Sequence, residues 1–125
     1  MAWAENLVRV VLVDDEAVLA GLFSNYLSRF YQVRDFSSPY EAKAFLERNP
    51  ADLLISDLVM PGINGLELAR LGRQLQPSLK VVLISGTCPW TWQQNPPPGQ
   101  FDAFLNKPLR LVDLHGCCQK VLGQA

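Results

Sequence analysis

The sequence is poor in cysteine, in excess charge of either sign and in long apolar runs. Its three cysteines, at 88, 117 and 118, are odd in number. Two of them are adjacent, which is poor geometry for a mutual bridge, and none forms a Cys-x-x-Cys pair. They read as packing residues of a reduced, cytoplasmic chain rather than as a redox or metal centre. A net charge of −1 provides no basic surface, so direct nucleic-acid binding through bulk charge is not expected. The apolar runs are too short to cross a bilayer, so no membrane insertion is expected. The opening Met1-Ala2-Trp3-Ala4-Glu5 lacks the basic and apolar regions of a signal peptide.

With 125 residues, about half of them apolar, the chain is read as one domain over 1–125 that buries a core without disulfide or metal staples. No repeat or linker divides it. The one biased stretch is Pro96-Pro97-Pro98. Leu7 to Val13 is β-branched with little alternation, as in a strand covered on both faces of a parallel sheet. Residues 17–30 read as a helix, with Val18, Leu22, Tyr26 and Phe30 beside Leu19, Phe23 and Leu27 at helical spacing. The less apolar 32–36 reads as an edge strand. Ser38-Pro39-Tyr40-Glu41 is a helix start with cap, N1 proline and capping box, and that helix stops at Asn49-Pro50. Residues 52–57 form the next strand. A helix over 66–75 follows, with Leu68, Leu71 and Leu75 toward the sheet, and then a strand over 80–86. A fifth strand over 101–106 and a helix over 109–122 close the chain. Alternating strands and helices predict a doubly wound α/β fold.

All strands of a parallel sheet share one C-terminal rim, which is where open α/β sheets place ligand chemistry. Strand 1 brings Asp14 and Asp15 there, strand 3 Asp57, strand 4 Ser85 and strand 5 Lys107. Clustered carboxylates repel unless a cation lies among them, and hard oxygen donors suit Mg²⁺. A divalent cation with Lys107 makes a pocket for a dianionic group, and an aspartate can serve as nucleophile to phosphorus. Asp57 is therefore the candidate phosphoryl acceptor. Ser85 is placed to donate to a phosphoryl oxygen, and Gly86 leaves room for the group. For the trio Asp14-Asp15-Glu16 a helix N-cap with favourable dipole charges is the plain alternative to a divalent-cation site, and both can hold for different members. Asp35 and Asp52 are read as a loop charge and a strand-start cap.

The segments Val11-Leu12-Val13-Asp14-Asp15-Glu16, Ser56-Asp57-Leu58-Val59-Met60-Pro61-Gly62-Ile63-Asn64-Gly65, Val82-Leu83-Ile84-Ser85-Gly86 and Phe104-Leu105-Asn106-Lys107-Pro108 together resemble the receiver domain of two-component response regulators. The match runs along essentially the whole chain. The resemblance implies a flavodoxin-like five-stranded sheet of order 2-1-3-4-5, the order of chemotaxis members of this family. It implies Asp57 as phosphoacceptor, Asp15 as a direct Mg²⁺ ligand, Asp14 acting through water, and the Val59 carbonyl as a further ligand. Lys107 would pair with the phosphoryl group. Ser85 would be the switch hydroxyl and Phe104 the switch aromatic. Pro108 would follow a cis bond that aims Lys107. The donor would be a sensor histidine kinase or phosphotransfer protein, and output would pass to a downstream protein target, with a homodimer permitted. Enzymatic activity would not extend beyond self-catalysed phosphorylation and dephosphorylation.

The chain departs from the pattern after Ser85. Three prolines rule out helix through 96–98, and Pro89 permits a turn or two at most, so the fourth helix of the family is expected to be stunted or missing. Trp90 and Trp92 would then cover the sheet or anchor a partner. Val59 presents an apolar side chain two residues beyond the acceptor, where it cannot orient a water, so slow phosphate loss is expected. A phosphorylation-independent interaction module is the competing reading. A haloacid-dehalogenase-like phosphatase ranks third, because Val59 stands where that chemistry needs a second acid.

Overall fold

The computed structural model describes residues 7–87 and 99–124. In chain order its elements are β1 (Arg9–Val13), α1 (Ala17–Leu27), β2 (Gln32–Phe36), α2 (Pro39–Arg48), β3 (Leu53–Asp57), α3 (Gly65–Leu75), β4 (Lys80–Ser85), β5 (Ala103–Asn106) and α4 (Leu111–Val121). The strands form one parallel sheet of order β2-β1-β3-β4-β5. The winding reverses between β1 and β3, and that switch point lies where Asp14 and Asp57 leave the sheet. The expected stunted helix, Cys88, Trp90, Trp92 and the proline run fall within 88–98, outside the described residues. Among the described residues no helix is long and apolar enough to cross a membrane.

Two cores explain why the central strands show no polar alternation. Val11, Val13, Leu54, Val81 and Leu83 face Ala42, Leu46, Leu68 and Ala69 of α2 and α3. Their neighbours Val10, Leu12, Leu53, Ile55, Val82 and Ile84 face Ala20, Phe23, Leu27, Leu114 and Cys118 of α1 and α4. Each strand side chain is thus buried whichever way it points. Among the described residues β2 pairs only with β1, and it is half-exposed, as an edge strand should be. Cys118 is a fully buried packing residue, and burial, with the neighbouring Cys117 thiol adding to it, pushes its thiol up to about 12. It is therefore an uncharged thiol at neutral pH.

The structure corrects the helix read over 17–30 and the inward placement of Leu75, and it settles which face of α1 turns inward. In α1 the inward stripe is Ala20, Phe23 and Leu27, while Val18 is 85% and Leu22 50% exposed. The helix ends at Leu27, so Phe30 lies beyond it and stacks on His115 of α4 with ring centroids 3.7 Å apart. In α3, Leu75 occupies the last turn and is 45% exposed, so it does not join Leu68 against the sheet. Asp35 is part of β2 rather than a loop, and its carboxylate accepts from Ser24 Oγ at 3.3 Å. Asp52 is the expected strand-start cap. It accepts from the Arg9 backbone N–H at 2.8 Å and from two nitrogens of the Arg9 guanidinium at 3.0 and 3.1 Å. That hydrogen bonding, which outweighs partial burial, holds its carboxyl below the usual range.

Polar side chains close the connections. Ser38 Oγ accepts from the Glu41 N–H at 3.5 Å at the start of α2, and Asn64 Oδ1 accepts from the Glu67 N–H at 2.8 Å at the start of α3. Gln76, just past α3, donates Nε2 to the carbonyls of Leu46 and Asn49 at 3.0 and 2.8 Å, while its Oε1 accepts from the Ala51 N–H at 2.7 Å. One amide thus satisfies the frayed end of α2 and the entry to β3. Gln76→Ala leaves these groups without the partner and is expected to cost about 1–3 kcal/mol. A urea midpoint that falls with an unchanged slope is the corresponding observation.

Candidate functional site

Asp14 extends the β1–β2 ladder by one residue, its N–H donating to the Phe36 carbonyl at 3.1 Å. Its Oδ1 accepts from the Glu16 N–H at 2.9 Å, which turns the chain into α1. That places a carboxylate only 3% exposed at the strand end, with Asp15 exposed beside it. Asp57, the last residue of β3, is 8% exposed. Asp14, Asp15 and Asp57 each offer a carboxylate oxygen within 4.8 Å of the others. From the far side of the rim Lys107 brings Nζ to 3.0 Å from Asp14 Oδ2, 3.6 Å from Asp57 Oδ2 and 3.9 Å from Glu16 Oε1. The Lys107 N–H donates to the Ser85 carbonyl at 2.9 Å, and the Lys107–Pro108 bond is cis. Asp14 and Asp15 after β1, Asp57 of β3 and Lys107 after β5 therefore meet at one point.

The charges do not balance. Burial, the largest influence, pushes the Asp57 carboxyl up to about 6; the Lys107 ammonium opposes it, and Asp14 and Asp15 add to it by charge and, for Asp15, by hydrogen bonding. Burial alone would lower the Lys107 pKa, but hydrogen bonding to Asp14 and the charges of Asp14, Asp57 and Glu16 raise it overall, so the lysine stays an ammonium. One ammonium faces four carboxylates. An all-oxygen donor set with surplus negative charge fits a hard divalent cation such as Mg²⁺. Asp14, Asp15 and Asp57 are the side chains able to hold it.

The loop after Asp57 is anchored by the Leu58 N–H, which donates to the Ile84 carbonyl at 2.7 Å, and by the Gly65 N–H, which donates to the Leu58 carbonyl at 2.8 Å. Leu58 and Met60 are buried, so Val59 between them faces solvent, 63% exposed. Ser85 is buried at the end of β4, where its Oγ accepts from the Thr87 N–H at 3.2 Å. Register sets Asp57 beside Ile84 and Ser85 beside Asn106, so Ser85 lies one residue further along the rim. Among the described residues, a Cβ built on Gly86 meets nothing within 4 Å. Phe104 is half-buried in β5, packed on the α2–α3 core with its ring 6.3 Å from that of Phe101.

Two contributors were not visible in the sequence pattern. Ser56 Oγ donates to the Asp57 carbonyl at 2.9 Å, tying down the Asp57 peptide. A buried serine inside an otherwise apolar strand is the only signal of this. Glu16 reaches Lys107 across more than ninety residues of chain, and only the crowding of three acids hinted at a role beyond starting α1.

The response regulator receiver domain family matches residues 10–118. The response regulator receiver protein CpdR of Brucella abortus is 30% identical over 115 residues, 91% of this chain and 96% of that protein. The sensor kinase CckA of the same organism is 34% identical over 116 residues, 90% of this chain but 12% of that kinase. Among solved structures, a receiver protein from Sinorhizobium medicae superposes with a TM-score of 0.83 at 27% identity, covering 96% of this chain and 98% of that one. A CheY-like receiver domain from Methanospirillum hungatei superposes at 0.84 and 24% identity, a likeness of fold, over 94% of this chain and 95% of that one.

Proposed function

This chain belongs to the response regulator receiver domain family of two-component signalling, and on that premise we propose that it is a phosphoacceptor switch, taking a phosphoryl group from a histidine kinase or phosphotransfer protein onto Asp57. The observation that carries the reading is the convergence of three carboxylates within 4.8 Å with an ammonium 3.6 Å from the acceptor oxygen.

In this reading an Asp57 oxygen attacks phosphorus in line. The P–N bond to the donor imidazole breaks as the aspartyl P–O bond forms, and the imidazole leaves with a proton. Asp15 and Asp57, with the Val59 carbonyl and with Asp14 acting behind them, would hold Mg²⁺, which would supply neutralising charge for the transferring oxygens. Lys107 would exchange its Asp14 contact for a phosphoryl oxygen. Ser85 Oγ would turn from the Thr87 N–H to donate to another, and Phe104 would follow it inward. The new contacts favour one surface arrangement over another, which a downstream protein then reads. The reaction is confined to the chain's own aspartate, so the protein acts as a switch and not as a turnover enzyme.

Intact mass after incubation with acetyl phosphate and Mg²⁺ tests this. One added phosphoryl group, lost with hydroxylamine and absent with a chelator, is the expected result. No uptake, or a label that hydroxylamine leaves in place, overturns it and favours a phosphorylation-independent interaction module.

Val59 bears on how long the phosphoryl group stays. Its exposed apolar side chain cannot hydrogen-bond an attacking water. Val59→Asn supplies an amide there and is expected to speed loss of the phosphoryl group several-fold, followed by mass after donor removal. An unchanged rate sets the idea aside.

A further inference from the structure

The loop over 58–64 is anchored at both ends by the hydrogen bonds of Leu58 and Gly65 and by the Asn64 cap, and its middle stands in solvent. Pro61 has its φ set by its ring, but Gly62 has no such restraint and adopts φ +83°, a conformation that side chains rarely allow. The three atoms nearest a Cβ built on Gly62 all belong to Tyr40, on the first turn of α2. That Cβ would overlap the Tyr40 hydroxyl oxygen and lie 2.8 and 2.9 Å from Cε2 and Cζ. The ring therefore occupies the space a side chain at 62 would take. Tyr40 nevertheless remains 58% exposed, so its contact with the loop is not core packing.

We propose that Tyr40 is a positioning residue for the cation site. Closed over Gly62, its ring holds the freest residue of the loop and so fixes the position of Val59, three residues earlier, whose carbonyl would complete the ligand set with Asp15 and Asp57. This inference rests on the phosphoacceptor reading. It assigns α2, which supplies no ligand, a share in cation affinity through one ring-to-backbone contact. Groups behind metal ligands commonly set affinity in this way.

The test uses the whole chain with Mn²⁺ as probe, free Mn²⁺ being read by electron paramagnetic resonance and folding by circular dichroism. Tyr40→Ala is expected to weaken Mn²⁺ binding about tenfold, the lower end for such partners, with a metal-free melting temperature close to wild type. Tyr40→Phe keeps the ring edge and should bind like wild type. Gly62→Ala, which evicts the ring, should weaken binding as Tyr40→Ala does. Unchanged affinity in Tyr40→Ala, or equal weakening in Tyr40→Phe, overturns the role. A wild-type chain that binds no Mn²⁺ sinks the phosphoacceptor reading itself, a result distinct from a wild type that binds and an alanine variant that binds equally well.

Discussion

Asp57→Asn is expected to take up no phosphoryl group and yet, in metal-free buffer near neutral pH, to unfold at a higher temperature than the wild type. The first effect follows from chemistry: a carboxamide is no nucleophile toward phosphorus under these conditions. The second follows from the charge imbalance. Burial, with Asp14 and Asp15 adding to it and Lys107 opposing, raises the Asp57 carboxyl from 3.8 to about 6 in the folded chain. Between those values the native state holds a proton that the unfolded state has released. The slope of stability against pH has the sign of protons bound unfolded minus native, so it is negative there. The wild type thus loses stability as pH rises through this window, and the loss is complete above about 6. Each pK unit corresponds to about 1.4 kcal/mol. Solvent screening at this open rim reduces the total, leaving a gain of about 1–2 kcal/mol for the asparagine variant. Below pH 4 this contribution should vanish, and Mg²⁺ added to the wild type should narrow the gap, since a ligand of the native state stabilises it. Thermal unfolding of both proteins across pH, with and without Mg²⁺, is the measurement. If the variant melts lower at every pH, the ammonium of Lys107 outweighs the repulsion and the surplus of negative charge is not felt.

The same imbalance explains why so much of the site was legible without coordinates. β-branched strands buried on both faces announce a parallel sheet, and such a sheet has only one rim where carboxylates at the ends of β1 and β3 can go. Asp14, Asp57 and Lys107 therefore had to converge once the strands were recognised. What stayed hidden depends on the rotation of helices and on loop paths. In α1 nearly every position is apolar, so periodicity could not decide between the stripe through Phe23 and Leu27, which faces the sheet, and the one through Val18 and Leu22, which does not. Gln76 carries no signal in the sequence pattern, yet its amide joins three backbone groups on either side of the turn into β3. Hydrophobic pattern carries no information about such hydrogen bonds. The contact of Tyr40 with Gly62 is hidden for a related reason, being a meeting of two surface segments that no core position dictates.

Gly65→Ala is expected to be the most damaging of the conservative substitutions, although Gly65 opens a helix, where alanine ordinarily helps. A Cβ there would run into the Asp57 carbonyl oxygen and sit 3.0 Å from both Asp57 C and Leu58 Cα. All three are backbone atoms, so no rotamer change relieves the overlap. The Gly65 N–H is also held to the Leu58 carbonyl at 2.8 Å, and the Asp57 carbonyl receives the Ser56 hydroxyl at 2.9 Å, so neither side of the collision is free to retreat. Either α3 shifts outward from Leu68 and Ala69 of the core, or the Asp57 peptide twists. Overpacking of this kind, against rigid neighbours, costs about 2–4 kcal/mol. Because the displaced peptide is the one that aims Asp57, phosphoryl uptake should fall with stability. Gly21 provides the opposing case in the same protein. It lies exposed within α1, and among the described residues nothing comes within 4 Å of a built Cβ, so Gly21→Ala should stabilise by up to about 1 kcal/mol. Urea unfolding of the pair separates close approach from helix propensity. Alanine at 65 tolerated as well as alanine at 21 would mean that α3 can move away from β3 without cost, and the tight seat beneath Asp57 would then have no energetic content.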